Sequence, residues 1–204
     1  MIFKVVYKLY KIIYIVYIMT DFSNFIYEAP CVLDENACKC LIQCFEQNKH
    51  FHTSNKEKYA TVLNLNNLKQ TNTSDTKIYE IITEIANIFD IHINKYFSKL
   101  ITLYNINHPN FSTSGINITK YNKNEGDCIN KAHLNIRNGK QSQFIYIFFL
   151  NNIDNGGDIC FFNNKTIKAE SGKLVLFPTE WFFMHKNNIP ISDDKYTLSG
   201  LFYN

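Results

Sequence analysis

The sequence predicts an α+β protein, with helices in its first half packed against an antiparallel β-sandwich of jelly-roll type in its second. Three observations predict it. Ile78, Ile81, Ile82, Ile85, Ile88 and Phe89 recur at i, i+3, i+4 and i+7, the apolar stripe of an amphipathic helix. Beyond about residue 100 the texture changes to short strand-like runs divided by explicit turn signals at Asn138-Gly139, Asn155-Gly156-Gly157 and Ser171-Gly172. Residues 144–150 are apolar on both faces, as a central strand covered on two sides must be.

In chain order, residues 1–20 form an apolar and basic extension. Lys4, Lys8 and Lys11 precede a run from Ile12 to Met19 that is shorter than the roughly 20 apolar residues of a membrane span. No small-residue cleavage site follows it. Two readings stand side by side: a dispensable extension before a second start at Met19, or a signal or anchor that takes the chain to a membrane. Residues 21–204 read as one domain, with helical support over 21–100 and the jelly-roll core over 101–204. Within it, 25–33 is extended. Asp34 then caps a helix running to about Glu46, with Cys38, Leu41, Ile42 and Phe45 on its inner face. Residues 47–72 are polar and Asn-rich, with a short strand at 60–65. The long helix follows, capped near Thr73 to Asp75. The β-region comprises GINITKYN, CINKAHLNI, QFIYIFFL, DICFFN, KTIKAE, KLVLFP, WFFMH and YTLSGLFY.

Composition narrows the function. The net charge is +3 and Arg137 is the sole arginine, which argues against a nucleic-acid partner. The six cysteines, Cys31, Cys38, Cys40, Cys44, Cys128 and Cys160, match neither a C-x-x-C pair nor a zinc knuckle. They read as structural thiols of a reducing compartment such as the cytoplasm, unless the N-terminus directs the chain to the ER or a membrane. His50, His52, His92 and His108 read as structural, and Trp181 and Phe182 as core or cavity wall.

The chemistry concentrates in the β-region. His133 and Asn135 alternate in KAHLN, so both side chains would leave one strand on the same face. His185 ends WFFMH, and Lys195 lies ten residues further on. A jelly roll brings such strand ends to one mouth. Two histidines and a carboxylate on one face of a metal form the site of non-haem Fe(II) oxygenases.

These residues carry a resemblance. From about Phe25 onward the chain resembles the prolyl 4-hydroxylase-like branch of the 2-oxoglutarate- and Fe(II)-dependent dioxygenases. The match is best in ITKYNKNEG and the His133 strand, and continues through FFLNNIDNGGDICF, IKAESGKLVLFPTEWFFMH and DDKYTLSG. The resemblance implies a double-stranded β-helix (cupin-like jelly roll) with N-terminal supporting helices. It implies Fe(II), 2-oxoglutarate and O2 as cofactors, with ascorbate as an optional one. His133, Asn135 and His185 fall on the three metal-ligand positions. Lys195 falls on the partner of the 2-oxoglutarate C5 carboxylate, and Tyr121 on the tyrosine that bonds the same carboxylate. The implied reaction hydroxylates a peptidyl residue such as proline, with succinate and CO2 as co-products, so a peptide or protein is the implied partner.

The sequence departs from the family in two places. Asn135 stands where an acidic ligand is usual, and Leu201 follows Gly200 where a Trp is usual. An amide oxygen is neutral and donates less to iron than a carboxylate. It still fills the position, which disfavours halogenation. Three outcomes follow: a weakened oxygenase, an inactive jelly-roll binding module, or a site that borrows another acid from Glu125, Asp127, Asp154 or Asp158. A nucleic-acid demethylase of the same superfamily is disfavoured by the weak basicity.

Overall fold

The computed structural model describes residues 22–55, 59–69, 76–104, 112–113, 115–126, 136–137, 139–162 and 164–203. The segment CINKAHLNI, expected as a strand and carrying His133, Asn135 and Cys128, falls outside these residues except for its last position, as does Asp127 before it. So do His108, the expected cap of the long helix and the N-terminal extension.

The elements are β1 (Tyr27–Ala29), α1 (Glu35–Gln47), β2 (Thr53–Asn55), β3 (Ala60–Asn64), α2 (Leu65–Lys69), α3 (Thr76–Tyr104), β4 (Ser112–Thr113), β5 (Asn117–Tyr121), β6 (Ile136–Arg137), β7 (Lys140–Phe149), β8 (Ile159–Phe161), β9 (Thr166–Ile167), β10 (Leu174–Pro178), β11 (His185–Asn187) and β12 (Lys195–Tyr203). A large antiparallel sheet runs β1-β10-β7-β12-β5-β3-β2, with β4 beside β12 and β6 beside β7. A small sheet runs β11-β8-β9. The first hundred residues are therefore more than helical support. They supply β1 at one edge of the large sheet and the β2–β3 hairpin at the other.

Strand alternation divides the interior into two layers. On β7, Phe144, Tyr146 and Phe148 face the helices, where they join Leu41, Phe45, Phe89, Tyr96 and Phe97. Ile145, Ile147 and Phe149 face the small sheet and meet Ile159, Phe161, Ile167, Val175 and Phe177. A residue pair on opposite faces of one strand thus serves two cores, which is why this run is apolar throughout. The helix α1 begins at Asp34, whose side chain accepts from Ala37 N at 2.7 Å, a cap worth about 1 kcal/mol. It buries Cys38, Leu41, Cys44 and Phe45. Ile81, Ile85 and Phe89 bury the stripe of α3.

Two expectations are corrected. WFFMH is not one strand: Trp181–Phe183 is a 3-10 turn, and β11 starts only at His185. Trp181 takes no place in the core but is 56% exposed, with its ring 3.9 Å from that of Phe182. Among the described residues no helix is long and apolar enough to cross a membrane.

Candidate active site

The inner face of the large sheet is apolar along β7 and β10 but polar along β5 and β12. Register sets Lys195 opposite Tyr121 and Thr197 opposite Thr119. Their alternates Ile118, Leu198 and Phe202 belong to the helix-side core, so Thr119, Tyr121, Lys195 and Thr197 face the jelly-roll interior.

Lys195 is fully buried. Its Nζ donates to Gly157 O at 2.9 Å and to Asn187 Oδ1 at 3.4 Å, and lies 4.7 Å from the centre of the Tyr121 ring. Among the described residues no carboxylate comes within ion-pair distance of it. Burial pushes its pKa down to about 7, with Asp158 pulling weakly the other way. Tyr121 is pushed up to about 12 by burial, against a hydrogen bond with Thr197. It is therefore a neutral phenol.

The carbonyl that holds Lys195 comes from the Asn155-Gly156-Gly157 turn. Gly156 and Gly157 have φ of 73° and 72°, in the left-handed region. A Cβ on Gly156 would run into Ile189 O, so glycine is required by both dihedral and contact.

His185 is buried at the start of β11, opposite Phe161. The edge of its ring meets Phe177 with centroids 4.9 Å apart. Its Nδ1 lies 3.0 Å from Phe183 O, and since a carbonyl can only accept, Nδ1 carries the proton. In the neutral ring the lone pair then sits on Nε2. This is the tautomer that a metal-ligating histidine adopts, fixed by the backbone carbonyl behind it. Asn187, two residues on, shares the face of His185 and reaches Lys195, so one strand links the two residues.

On the helix-facing side of the sheet, a polar cluster pins the start of β12. Lys120 Nζ bonds Glu46 Oε1 at 3.1 Å and Asp194 Oδ2 at 3.0 Å, and Tyr196 OH donates to Glu46 Oε1 at 2.6 Å. The Tyr196 bond and the Lys120 ammonium hold Glu46 below the usual carboxylate range. This contribution is present above the ordinary carboxylate pKa and is lost as pH falls through the folded value. Tyr196→Phe should cost about 1 kcal/mol in urea unfolding. An unchanged midpoint would mean that Lys120 and Lys49 alone hold Glu46.

The sequence-selected His185, Lys195 and Tyr121 all face the interior, whereas His133 and Asn135 lie outside the described residues. Glu125 turns instead to Asn122 Nδ2 at 2.8 Å. Among the described residues no three His, Cys, Asp or Glu side chains form a metal-binding group. His52 bonds Phe45 O and stacks on the Phe45 ring, and His92 Nδ1 shares a hydrogen bond with Tyr27 OH at 2.7 Å. Cys31, Cys38, Cys40, Cys44 and Cys160 are free thiols. Sequence reasoning did not single out Asn187, which the structure places against Lys195.

A large sheet backed by helices, facing a small sheet across an interior with a buried lysine, is a double-stranded β-helix. It is the fold of the 2-oxoglutarate- and Fe(II)-dependent dioxygenases in their prolyl 4-hydroxylase form. Three solved structures carry the comparison. The viral collagen prolyl hydroxylase of Paramecium bursaria Chlorella virus-1, in its 2OG complex, superposes with a TM-score of 0.61 at 11% identity, covering 88% of this chain and 96% of that one. A Pseudomonas putida prolyl-4-hydroxylase gives 0.58 at 12% identity, covering 88% and 92%. A Trichoplax adhaerens prolyl hydroxylase, in complex with a hypoxia inducible factor peptide fragment, gives 0.60 at 13% identity, covering 88% and 84%. No protein-family model matches the chain, and no curated protein matches it in sequence.

Proposed function

We propose that this chain is an Fe(II)- and 2-oxoglutarate-dependent oxygenase that hydroxylates a peptidyl residue, with proline as the first candidate. One observation carries the reading. Among the described residues, Lys195 is a buried lysine whose hydrogen-bond partners are the neutral oxygens of Gly157 and Asn187, inside a jelly roll whose interior also holds His185. A buried ammonium without a carboxylate is a binding site for one. The C5 carboxylate of 2-oxoglutarate would accept from Lys195 Nζ and from the neutral Tyr121 hydroxyl. His185 would present Nε2 to the metal, with His133 and Asn135 as the other ligands. Fe(II) with 2-oxoglutarate and O2 supplies the oxidation, and the protein binds, orients and excludes water. Peptide binding by the Trichoplax neighbour supports a peptide substrate here. No nucleic-acid partner is expected.

A second reading is favoured by Asn135. With a neutral third ligand, the fold would bind metal or peptide without turnover. Anaerobic titration with Fe(II) and 2-oxoglutarate, followed by succinate detection after admitting air, separates the two. Binding with slow succinate formation supports the oxygenase. Binding without succinate supports the module, and no 2-oxoglutarate binding overturns the cosubstrate role of Lys195.

A further inference from the structure

We infer that Asn187 is a second binding residue for the far carboxylate of the cosubstrate, forming with Lys195 a two-point clamp that selects a 2-oxo diacid over a 2-oxo monoacid. The inference rests on the oxygenase reading and deepens it.

The geometry supports it in three ways. First, Asn187 shares the face of β11 with His185 and touches Lys195, so one strand carries both the metal-ligand candidate and a neighbour of the buried lysine. Second, its amide orientation is fixed by chemistry. An ammonium has three donors and no acceptor, so the atom facing Lys195 Nζ at 3.4 Å must be the amide oxygen. The NH2 group therefore points away from the lysine, and among the described residues it donates to none. Third, the contact is long, while Nζ bonds Gly157 O at 2.9 Å. An incoming carboxylate can thus take the ammonium at little cost while keeping the glycine anchor. One carboxylate oxygen would accept from Lys195 Nζ and the other from Asn187 Nδ2.

The residue type matters as much as its place. A neutral amide leaves the buried lysine uncompensated and available. An aspartate of the same shape would neutralise it from within and occupy the site a diacid needs. Asn187 thus does not satisfy the charge of Lys195. Its NH2 group is the second donor that a carboxylate needs in order to be held by both oxygens.

Calorimetric titration of the Mn(II)-loaded full chain with 2-oxoglutarate and with 2-oxobutyrate, which lacks the far carboxylate, tests this. Wild type should bind the diacid more tightly. Asn187→Leu, close in volume, should weaken 2-oxoglutarate about tenfold and leave 2-oxobutyrate unchanged, a loss on the scale of one hydrogen bond to a charged group. Asn187→Asp should weaken 2-oxoglutarate at least tenfold by pairing with Lys195. If the Leu variant melts early or fails to fold, the isosteric Asp variant decides. Equal 2-oxoglutarate affinity in wild type and either folded variant overturns the clamp while leaving the oxygenase reading intact. A parallel loss of both ligands in Asn187→Leu also overturns it. If wild type binds neither oxo acid, the oxygenase reading fails and the clamp fails with it.

Discussion

Lys195→Met should give a chain that is more stable than wild type and has lost its affinity for 2-oxoglutarate. The two effects share one cause. The Lys195 ammonium is fully buried, and burial pushes its pKa down to about 7. Holding a lysine that far below its ordinary value costs about 1.4 kcal/mol for each pH unit of displacement. Methionine keeps the length of the side chain and removes this cost, along with the bonds to Gly157 O and Asn187 Oδ1. A net gain of about 2–4 kcal/mol at neutral pH is the expected scale. Ligand binding moves the opposite way, because the far carboxylate loses the ammonium proposed to hold it, at about 1.5–3 kcal/mol. Between about pH 7 and the ordinary lysine value, the unfolded chain holds a proton that the folded chain has released. Wild-type stability should therefore rise with pH across that window, and the rise should vanish in Lys195→Met. The same sign makes 2-oxoglutarate affinity fall as pH rises above about 7, because the site must then take up a proton to receive the carboxylate. Chemical denaturation and calorimetry across pH 6–9 check all of this. A Met variant that is less stable and binds 2-oxoglutarate as before would place Lys195 outside the site.

The same residue shows how far sequence carries. Lys195 could be singled out because its distance from His185 and the strand that follows it form a local pattern. The stripe of α3 and the doubly apolar β7 were legible for the same reason: each is a periodicity within one element. Of the β2–β3 hairpin, only β3 was, as the short strand expected at 60–65. Its place beside β5 depends on the register of Ala60 with Tyr121, a long-range pairing that short-range periodicity cannot reveal. Aromatic β-propensity misled at WFFMH, where the chain must turn at Trp181–Phe183 before His185 can enter β11. Asn187 was hidden by composition, because in a chain crowded with asparagine one more at alternate spacing from a histidine carries little weight. Its proposed role rests on the contact to Lys195 Nζ.

Asn135→Asp is expected to tighten Fe(II) binding by one or more orders of magnitude. The argument is one of charge at constant shape. Metal ligands bind best as anions or neutral nitrogens, and a divalent iron gains from an anionic oxygen that an amide does not supply. Aspartate differs from asparagine by one atom type, so size and strand packing are nearly unchanged. His185, locked through Nδ1 onto Phe183 O, should contribute in both forms. His185→Ala in the Asn135→Asp background should therefore erase most of the gain, which a remote electrostatic effect of the new carboxylate would not predict. Anaerobic Fe(II) titration of the single and double variants measures this, and succinate formation in air measures its consequence. A rise in affinity with a rise in succinate means that wild type is an oxygenase restrained at its third ligand. A rise in affinity with no succinate means that the metal face is intact and turnover was lost elsewhere, which favours the binding module. If neither quantity moves, Asn135 is not at a ligand position, and the metal assignment built on KAHLN is wrong.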